Sequence, residues 1–425
     1  MALSIMTSQL VDRCMITGKP VTKILDFGQH PYADTFVAEN QLHLSEPVFP
    51  LQVYLNSESG SIQLGYISHA EDRYNLYSYS YTSSNSKTSR DHWDEYASTV
   101  KSKFNTSGLV VEIGSNDGYL IGQFNQVGTK AIGVDTSESM CKIAQERGVE
   151  TINELFGKDI GAALEIAHGP ASVVMANNVF NHSNDPVAFA QAVATLLTPD
   201  GVFVFEVPYW LSMIESGRFT DMVYHEHPSY FTVNSVWNLL KTAGMEIIDF
   251  DVVDYHGGSL RVFARRDTGS AKPIVVEDAI ARETQIGLFD INFYQVAQRR
   301  FEQQRDVWLA NFYKIRQEEP DAVFIGVGAA AKANTWLTWH GLNKTHLKYI
   351  TDASAHKQGK YTPLSRIPIV SDEIFAQYDR PYALILSWNI GTGLRNAILN
   401  INPNTRFIAH WKFPSGRINS KSTME

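Results

Sequence analysis

A chain of 425 residues that is 44% hydrophobic and 19% charged carries enough apolar material for two or three packed domains, which excludes a disordered or low-complexity chain. Its net charge of −9, from 36 basic and 45 acidic residues, excludes broad nonspecific nucleic-acid binding. Two cysteines, Cys14 and Cys141, exclude a disulfide framework and a four-cysteine metal site, and the lack of a leader or of an apolar run of bilayer length gives a cytoplasmic chain without a membrane partner as the expectation.

Residues 1–80 read as a small β-rich module. Ile24 to Gly28 is a strand running into a turn. The alternating segments Val48 to Tyr54 and Ser61 to Tyr66 flank a turn at Asn56 to Gly60, which predicts a hairpin. Residues 74–90 carry four tyrosines and then a hydroxyl-rich run, open both to a linker reading and to a loop that grips a polar ligand. A helix is predicted over 91–103.

Leu109 to Ile113 is an apolar strand that enters the turn Gly114-Ser115-Asn116-Asp117-Gly118, and a helix follows from Tyr119. Strand, glycine turn and helix open a nucleotide-binding α/β unit. Glycine lets the backbone approach a ligand, and the helix N-terminus offers free N–H groups. The spacing is not G-x-G-x-x-G, which disfavours a nicotinamide dinucleotide. The next strand, 130–134, ends at Asp135, an acid placed for ribose hydroxyls.

The alternation continues with a helix over 140–147 and a third strand over 148–152. A fourth strand, 171–175, leads to Asn177, Asn178 and His182. Ligands of open α/β sheets bind at such strand ends. These residues are candidate site groups, with a cap for Asn177 and a surface imidazole for His182 as the alternatives. A helix over 186–197 and a fifth strand, Gly201 to Val207, follow, and a short helix over 210–219 leads to Tyr224-His225-Glu226-His227-Pro228-Ser229-Tyr230-Phe231. So many proton-handling groups in one short stretch are costly to bury without purpose. A helix over 233–243 and a hairpin, 245–255 and 259–265 around Gly257-Gly258, complete a seven-stranded sheet in a core domain at 81–267.

A helical connector over 278–316 opens the last unit, 268–425. A strand at 322–325, the turn Gly326 to Lys332 and a helix from Ala333 form a second nucleotide-fold opening, whose lysine suits a phosphate. An interaction or dimerisation module is the alternative. Strands at 347–351, 382–386 and 406–410 follow.

Glu112-Ile113-Gly114-Ser115-Asn116-Asp117-Gly118 with Asp135 resembles a class I S-adenosylmethionine-dependent methyltransferase. The whole chain is similar to the deoxysugar C-methyltransferase family, which acts on nucleotide-linked keto-sugars. Four features carry the resemblance: residues 79–84; the Tyr224 to Phe231 stretch; Gly328 to Lys332 with Asn334; and His356 to Gly359 with Trp388-Asn389. It implies an α/β fold: a class I methyltransferase sheet flanked by a β-rich module and a C-terminal Rossmann-like domain. That family's N-terminal module holds a structural zinc through two Cys-x-x-Cys pairs. The matching positions here are Cys14, Thr17, Asn56 and Ser59, so three of four thiols are absent and no zinc is expected.

The resemblance also implies roles. S-adenosylmethionine is the expected cofactor, held by Glu112, Gly114, Asn116, Asp117, Gly118, Asp135, Asn153 and Asn177, with Asn153 or Glu154 near the adenine. Tyr79, Ser83, Ser84, Asn178, Lys332, His356 and Asn389 are expected to grip the substrate. Carbon methylation needs a carbon nucleophile, and a neighbouring ketone makes its proton acidic enough for a side-chain base. His227 is the expected base, Glu226 its partner, and Tyr224 and His182 face the keto oxygen; His225 is a support residue. A small-molecule substrate, no nucleic acid, and a monomer or homodimer complete the expectation. Rival readings are an O- or N-methyltransferase, a C-methyltransferase on a non-sugar substrate, and a non-catalytic scaffold.

Overall fold

The computed structural model describes residues 8–68, 82–125, 128–217 and 222–408. Its central sheet has seven strands in the order Met245–Val253, Ser259–Arg266, Leu197–Pro208, Ala171–Asn177, Leu109–Ile113, Ala131–Asp135, Glu150–Asn153. Ser259–Arg266 runs antiparallel to both of its neighbours, and the rest of the sheet is parallel. This is the class I methyltransferase sheet. Its middle strands are buried along their length, as near-continuous apolar runs covered by helices on both faces require.

Helix starts follow their caps. Lys87–Lys103 begins earlier than its apolar pattern predicts because Ser86 accepts the N–H of Ser89. Ser137 caps Glu138–Glu146 in the same way. The helix Lys158–His168, between the third and fourth strands, is the crossover the sequence reading leaves unassigned. Only Gly161 and Leu164 are buried on it, too few to print a helical period.

The β-rich module is a four-stranded sheet ordered Ser229–Tyr230, Ser61–Leu64, Phe49–Asn56, Thr22–His30. Its edge strand comes from the Tyr224 to Phe231 stretch: Ser229 pairs with Gln63 and Tyr230 with Ile62. Leu51, Val53 and Leu64 share one apolar core with Phe205, Trp210 and Phe231. The module has no core of its own, and the candidate chemistry sits on the seam.

The connector is two helices, Ile274–Ile286 and Ile291–Glu318, separated by Gly287 in left-handed backbone and by the Asp290 cap. Beyond it a parallel five-stranded sheet is ordered Ile369–Val370, Tyr349–Thr351, Phe324–Val327, Tyr382–Ile385, Arg406–Ile408. Contacts that dock it on the rest of the chain include the Arg366–Glu46 ion pair at 2.9 Å and three others. Asn334 Nδ2 donates to Ala33 O at 2.6 Å, Val37 bridges Tyr361, and Gly257 lies so close to Trp388 that a Cβ there would be 2.7 Å from the indole. Among the described residues no helix is long and apolar enough to cross a membrane.

A charged network lies beneath the sheet's C-terminal edge. Arg261, 2% exposed, bonds Glu206 at 2.6 Å and Glu95 at 2.8 Å, and His92 Nε2 meets the other Glu206 oxygen at 2.8 Å. Glu206 itself is fully buried. Removing one partner of a buried pair strands the other charge, so Arg261→Met costs about 3–5 kcal/mol in urea unfolding. A loss under about 1 kcal/mol would contradict a stranded charge at Glu206.

Candidate active site

A cleft of about 360 Å³ opens at the C-terminal ends of the parallel strands. Gly114 and Gly118 take φ of +70° and +75°, values that favour glycine, and a Cβ on Gly114 would lie 2.1 Å from Val179 Cγ2. Asp135 accepts the N–H of Asn116 and of Ser137, both at 2.8 Å, which fixes its carboxylate at the mouth of the turn. Burial raises its pKa. Gly114, Asn116, Asp135, Asn177, Asn178 and His182 all line the cleft.

Other predicted cofactor residues stand behind this wall. Glu112 is buried, and burial, with Asp117 and Asp135 nearby, pushes its carboxyl well above the usual range. Asp117 is fully buried and accepts the hydroxyls of Ser83, at 2.9 Å, and Ser84, with Arg147 beside it at 3.1 Å. The two serines expected on the substrate are thus fastened to the glycine turn at Asp117, and of the two Ser83 lines the cleft. Gly118 packs against Ala144 and Val149. Asn153 Nδ2 donates to Asp135 O at 2.9 Å, while its neighbour Glu154 lines the cleft. Tyr79 lies outside the described residues. Trp93, Leu155, Phe156 and His256 also line the cleft and were not singled out from sequence. The apolar pair follows Glu154 directly, and an imidazole ahead of two glycines was the available signal for His256.

The Tyr224 stretch, which does not line the cleft but meets it through His182, turns on itself. The His227 N–H donates to Tyr224 O at 3.0 Å, so these two side chains share one side of a tight turn. Tyr224 Oη and His227 Nε2 share a hydrogen bond of 2.8 Å, and the His182 ring meets His227 edge-on, centroids 4.6 Å apart. Phe180, beneath His182, stacks on Phe231. His225 points the opposite way. It donates from Nε2 to Phe49 O at 3.2 Å among Tyr32 and Phe49, and burial brings its pKa down to about 3.

Glu226 reaches the loop that follows Thr22–His30. Its Oε1 accepts the N–H of Ala33 at 2.8 Å and of Asp34 at 3.1 Å. Its Oε2 is buried without a hydrogen-bond partner among the described residues. Burial raises its pKa to about 7, so near neutral pH it can keep or release a proton.

In the C-terminal domain Lys332 Nζ donates to Asn389 Oδ1 at 2.9 Å and lies 4.9 Å over the Trp388 ring. His356 is exposed. Its neighbour Lys357 turns inward to Ala329 O at 2.8 Å, and Asp352 accepts the Ala329 N–H at 2.9 Å. The second glycine turn is thus held at Ala329 by side chains that follow the strand Tyr349–Thr351.

At the four zinc-type positions, Cys14 Sγ lies 3.4 Å from Ser59 Oγ and 3.4 Å from the N–H groups of Ile16 and Thr17. Burial raises the thiol pKa, but these donors outweigh it and the net shift is downward. Asn56 Oδ1 accepts both the N–H and the hydroxyl of Ser59 at 2.9 Å. The four positions hold one thiol, one amide and two hydroxyls, with Asn56 Nδ2 also donating to Pro20 O at 2.9 Å.

Three family models match the chain in tandem: "Putative zinc binding domain" over 14–74, "Methyltransferase domain" over 90–249 and "C-methyltransferase C-terminal domain" over 254–410. The C-methyltransferase NovU of Streptomyces niveus is 31% identical over 386 residues, 89% of this chain and 90% of its own. A ubiquinone biosynthesis O-methyltransferase of Cupriavidus pinatubonensis is 25% identical over 37% of this chain and 68% of its own. The magnesium protoporphyrin IX methyltransferase of Synechocystis, solved with bound SAH, matches 42% of this chain and 83% of its own at 17% identity and a TM-score of 0.34. With the sheet, the glycine turn and a relative that matches nearly end to end, the chain belongs to the S-adenosylmethionine-dependent C-methyltransferases that include NovU.

Proposed function

We propose that the chain methylates a carbon next to the ketone of a nucleotide-linked keto-deoxysugar, with His227 as the base. The observation that carries this reading is the cluster of His227, Tyr224 and His182 beside the cofactor cleft. His227 takes the α-proton. Tyr224 and His182 offer N–H and O–H donors to the oxygen where charge develops. S-adenosylmethionine supplies an electrophilic methyl, and the protein's part is to hold the carbon in line with it. Gly114, Asn116, Asp135 and Asn177 hold the donor, backed by Glu112, Asp117, Gly118 and Asn153. Asn178, Lys332, His356 and Asn389 take the substrate. Glu226, tied to Ala33 and Asp34, positions the Tyr224 turn and is the second proton reservoir.

The reading carries three units, 1–80, 81–267 and 268–425, in a cytoplasmic monomer or homodimer with no nucleic-acid partner. The test is to supply nucleotide-linked 4-keto-sugars with S-adenosylmethionine and locate the new methyl by NMR. A methyl on carbon is expected; a methyl on oxygen or nitrogen overturns the reading.

The N-terminal module is read as metal-free, because hydrogen bonds among Cys14, Asn56 and Ser59 occupy the ligand positions. Metal analysis is expected to find well under one zinc per chain, and a chelator to leave the melting temperature unchanged. One tightly held zinc per chain contradicts this.

A further inference from the structure

Residues 31–37 form a loop that is held from two sides, by the Tyr224 turn and by the C-terminal domain. The turn closes on the His227 N–H to Tyr224 O bond, which leaves His225 and Glu226 as its two corner residues. Both corner side chains are anchored on the β-rich module. His225 goes to Phe49 O, against the Tyr32 ring, and Glu226 Oε1 takes the N–H groups of Ala33 and Asp34. On the loop's other side Asn334, from the helix Ala331–Trp339, donates to Ala33 O. Val37 and Tyr361 exchange backbone hydrogen bonds at 2.9 and 2.8 Å.

The Ala33 carbonyl and the Asp34 N–H belong to one peptide group. That group is planar, and its two polar ends point in opposite directions. Asn334 therefore holds the carbonyl end of the unit whose N–H end holds Glu226. A donor on the carbonyl polarises the peptide and strengthens what its N–H gives to the carboxylate. An unbroken chain of hydrogen bonds runs from a helix of the C-terminal domain to the turn that carries Tyr224 and His227.

Asn334 is 1% exposed. A buried amide placed for packing alone has both ends paired, and an apolar residue of its shape serves as well. Here Nδ2 is spent on Ala33 O, and Oδ1 has no hydrogen-bond partner among the described residues. The donor is what the position supplies. Burial raises the Glu226 pKa to about 7, and the loop N–H groups oppose that rise by favouring the ionised form. Asp34 stands beside Glu226, Tyr230 faces it from the edge strand, and Lys357, Asp352 and Lys360 of the C-terminal domain face Asp34.

We propose that Asn334 is a positioning residue for the reaction: through the Ala33–Asp34 peptide it fixes the Glu226 carboxylate, and with it the turn that presents Tyr224 and His227. The proposal rests on the C-methylation reading, in which Glu226 backs that turn.

The test is turnover of a nucleotide-linked 4-keto-sugar with S-adenosylmethionine by the full chain across pH, with the melting temperature of every variant. Asn334→Leu keeps the shape and removes the donor. It should lower kcat about tenfold and leave both KM values within about threefold. It should also move the acid limb of the kcat profile to higher pH, because ionised Glu226 loses support. Added to Glu226→Leu, the same substitution should change kcat less than about twofold, since the two act in series. Where Glu226→Leu does not fold, Glu226→Gln replaces it. Its amide oxygen still accepts the loop N–H groups, so the kcat loss from Asn334→Leu persists and the pH shift is absent. Arg366→Met breaks the ion pair to Glu46 between the same two units and should leave kcat within about threefold. An Asn334→Leu kcat within about twofold of wild type, with the profile unmoved, overturns the proposal. So does a full loss on top of Glu226→Leu, or an equal loss in Arg366→Met, either of which makes Asn334 a docking contact only. A Glu226→Leu enzyme with wild-type kcat removes the receiving end, and the proposal with it. If the wild type turns over no nucleotide-linked 4-keto-sugar, the C-methylation reading itself fails, and this role with it.

Discussion

Replacing His227 with asparagine lowers kcat about a thousandfold and leaves S-adenosylmethionine affinity unchanged. The reasoning starts from the turn. The His227 N–H on Tyr224 O fixes two side chains together, and their hydrogen bond of 2.8 Å orients the imidazole. Asparagine keeps a polar group of similar reach but cannot accept a proton from carbon near neutral pH. A positioned general base is worth about 10²–10⁴ in rate. His225 is the internal control. It is two residues away, of the same type, buried against Phe49 and held neutral, so His225→Asn affects stability before chemistry. A His227→Asn enzyme within about threefold of wild type in kcat would assign the base elsewhere, with Glu226 first in line because its pKa is about 7.

The second large effect lies in the cofactor turn. Gly114→Ala should weaken S-adenosylmethionine binding at least about a hundredfold. Two costs add at this position. An alanine in left-handed backbone costs about 1–2 kcal/mol, and forcing a methyl into filled space costs about 1–3 kcal/mol more. The overlap is with Val179, on the segment that leads to His182, so the turn and the fourth-strand end must both shift. Gly148→Ala separates the two terms. Its φ is +79°, but nothing lies within 4 Å of the added Cβ, so it bears the backbone cost alone and the cleft is untouched. Calorimetry and thermal unfolding on both variants check this. Equal behaviour of the two would remove Gly114 from the cofactor site.

Much of this was legible because it is written locally. A buried parallel strand prints a continuous apolar run, and the turn after Leu109 to Ile113 needs glycines where φ is positive. The seven strands and the acid after the second could therefore be read in order. What escaped was non-local. Nothing in Ser229-Tyr230 announces that it will pair with Ile62 and Gln63 of a distant module, yet that pairing sets where the Tyr224 turn sits. The resemblance makes Glu226 a partner for His227, and only the structure shows its Oε1 accepting from the backbone of Ala33 and Asp34. Ser83 and Ser84 read as ligand-gripping hydroxyls, and Asp117 claims both. The two-residue strand Ile369–Val370 is too short to carry a pattern. His256 becomes visible only when Trp388 is seen against Gly257.

The zinc-type module joins the two kinds of information. Sequence shows one thiol at the four zinc-type positions, and the structure shows how those side chains bond one another. Asn56 and Ser59 hold each other, Cys14 lies against Ser59, and the turn from Cys14 to Gly18 keeps its own backbone hydrogen bond. The same turn that presents a thiolate to a metal can be held by N–H donors to sulfur, each weak but several together.

The central claim is that a carbanion forms at the carbon next to a ketone before the methyl moves. Incubating the protein in deuterated water with nucleotide-linked 4-keto-sugars, without S-adenosylmethionine, tests that step alone. The account predicts that deuterium enters the α-carbon in the presence of wild type and that His227→Asn reduces this to the background rate. No wild-type-dependent exchange from a substrate that is then methylated on oxygen or nitrogen would contradict it.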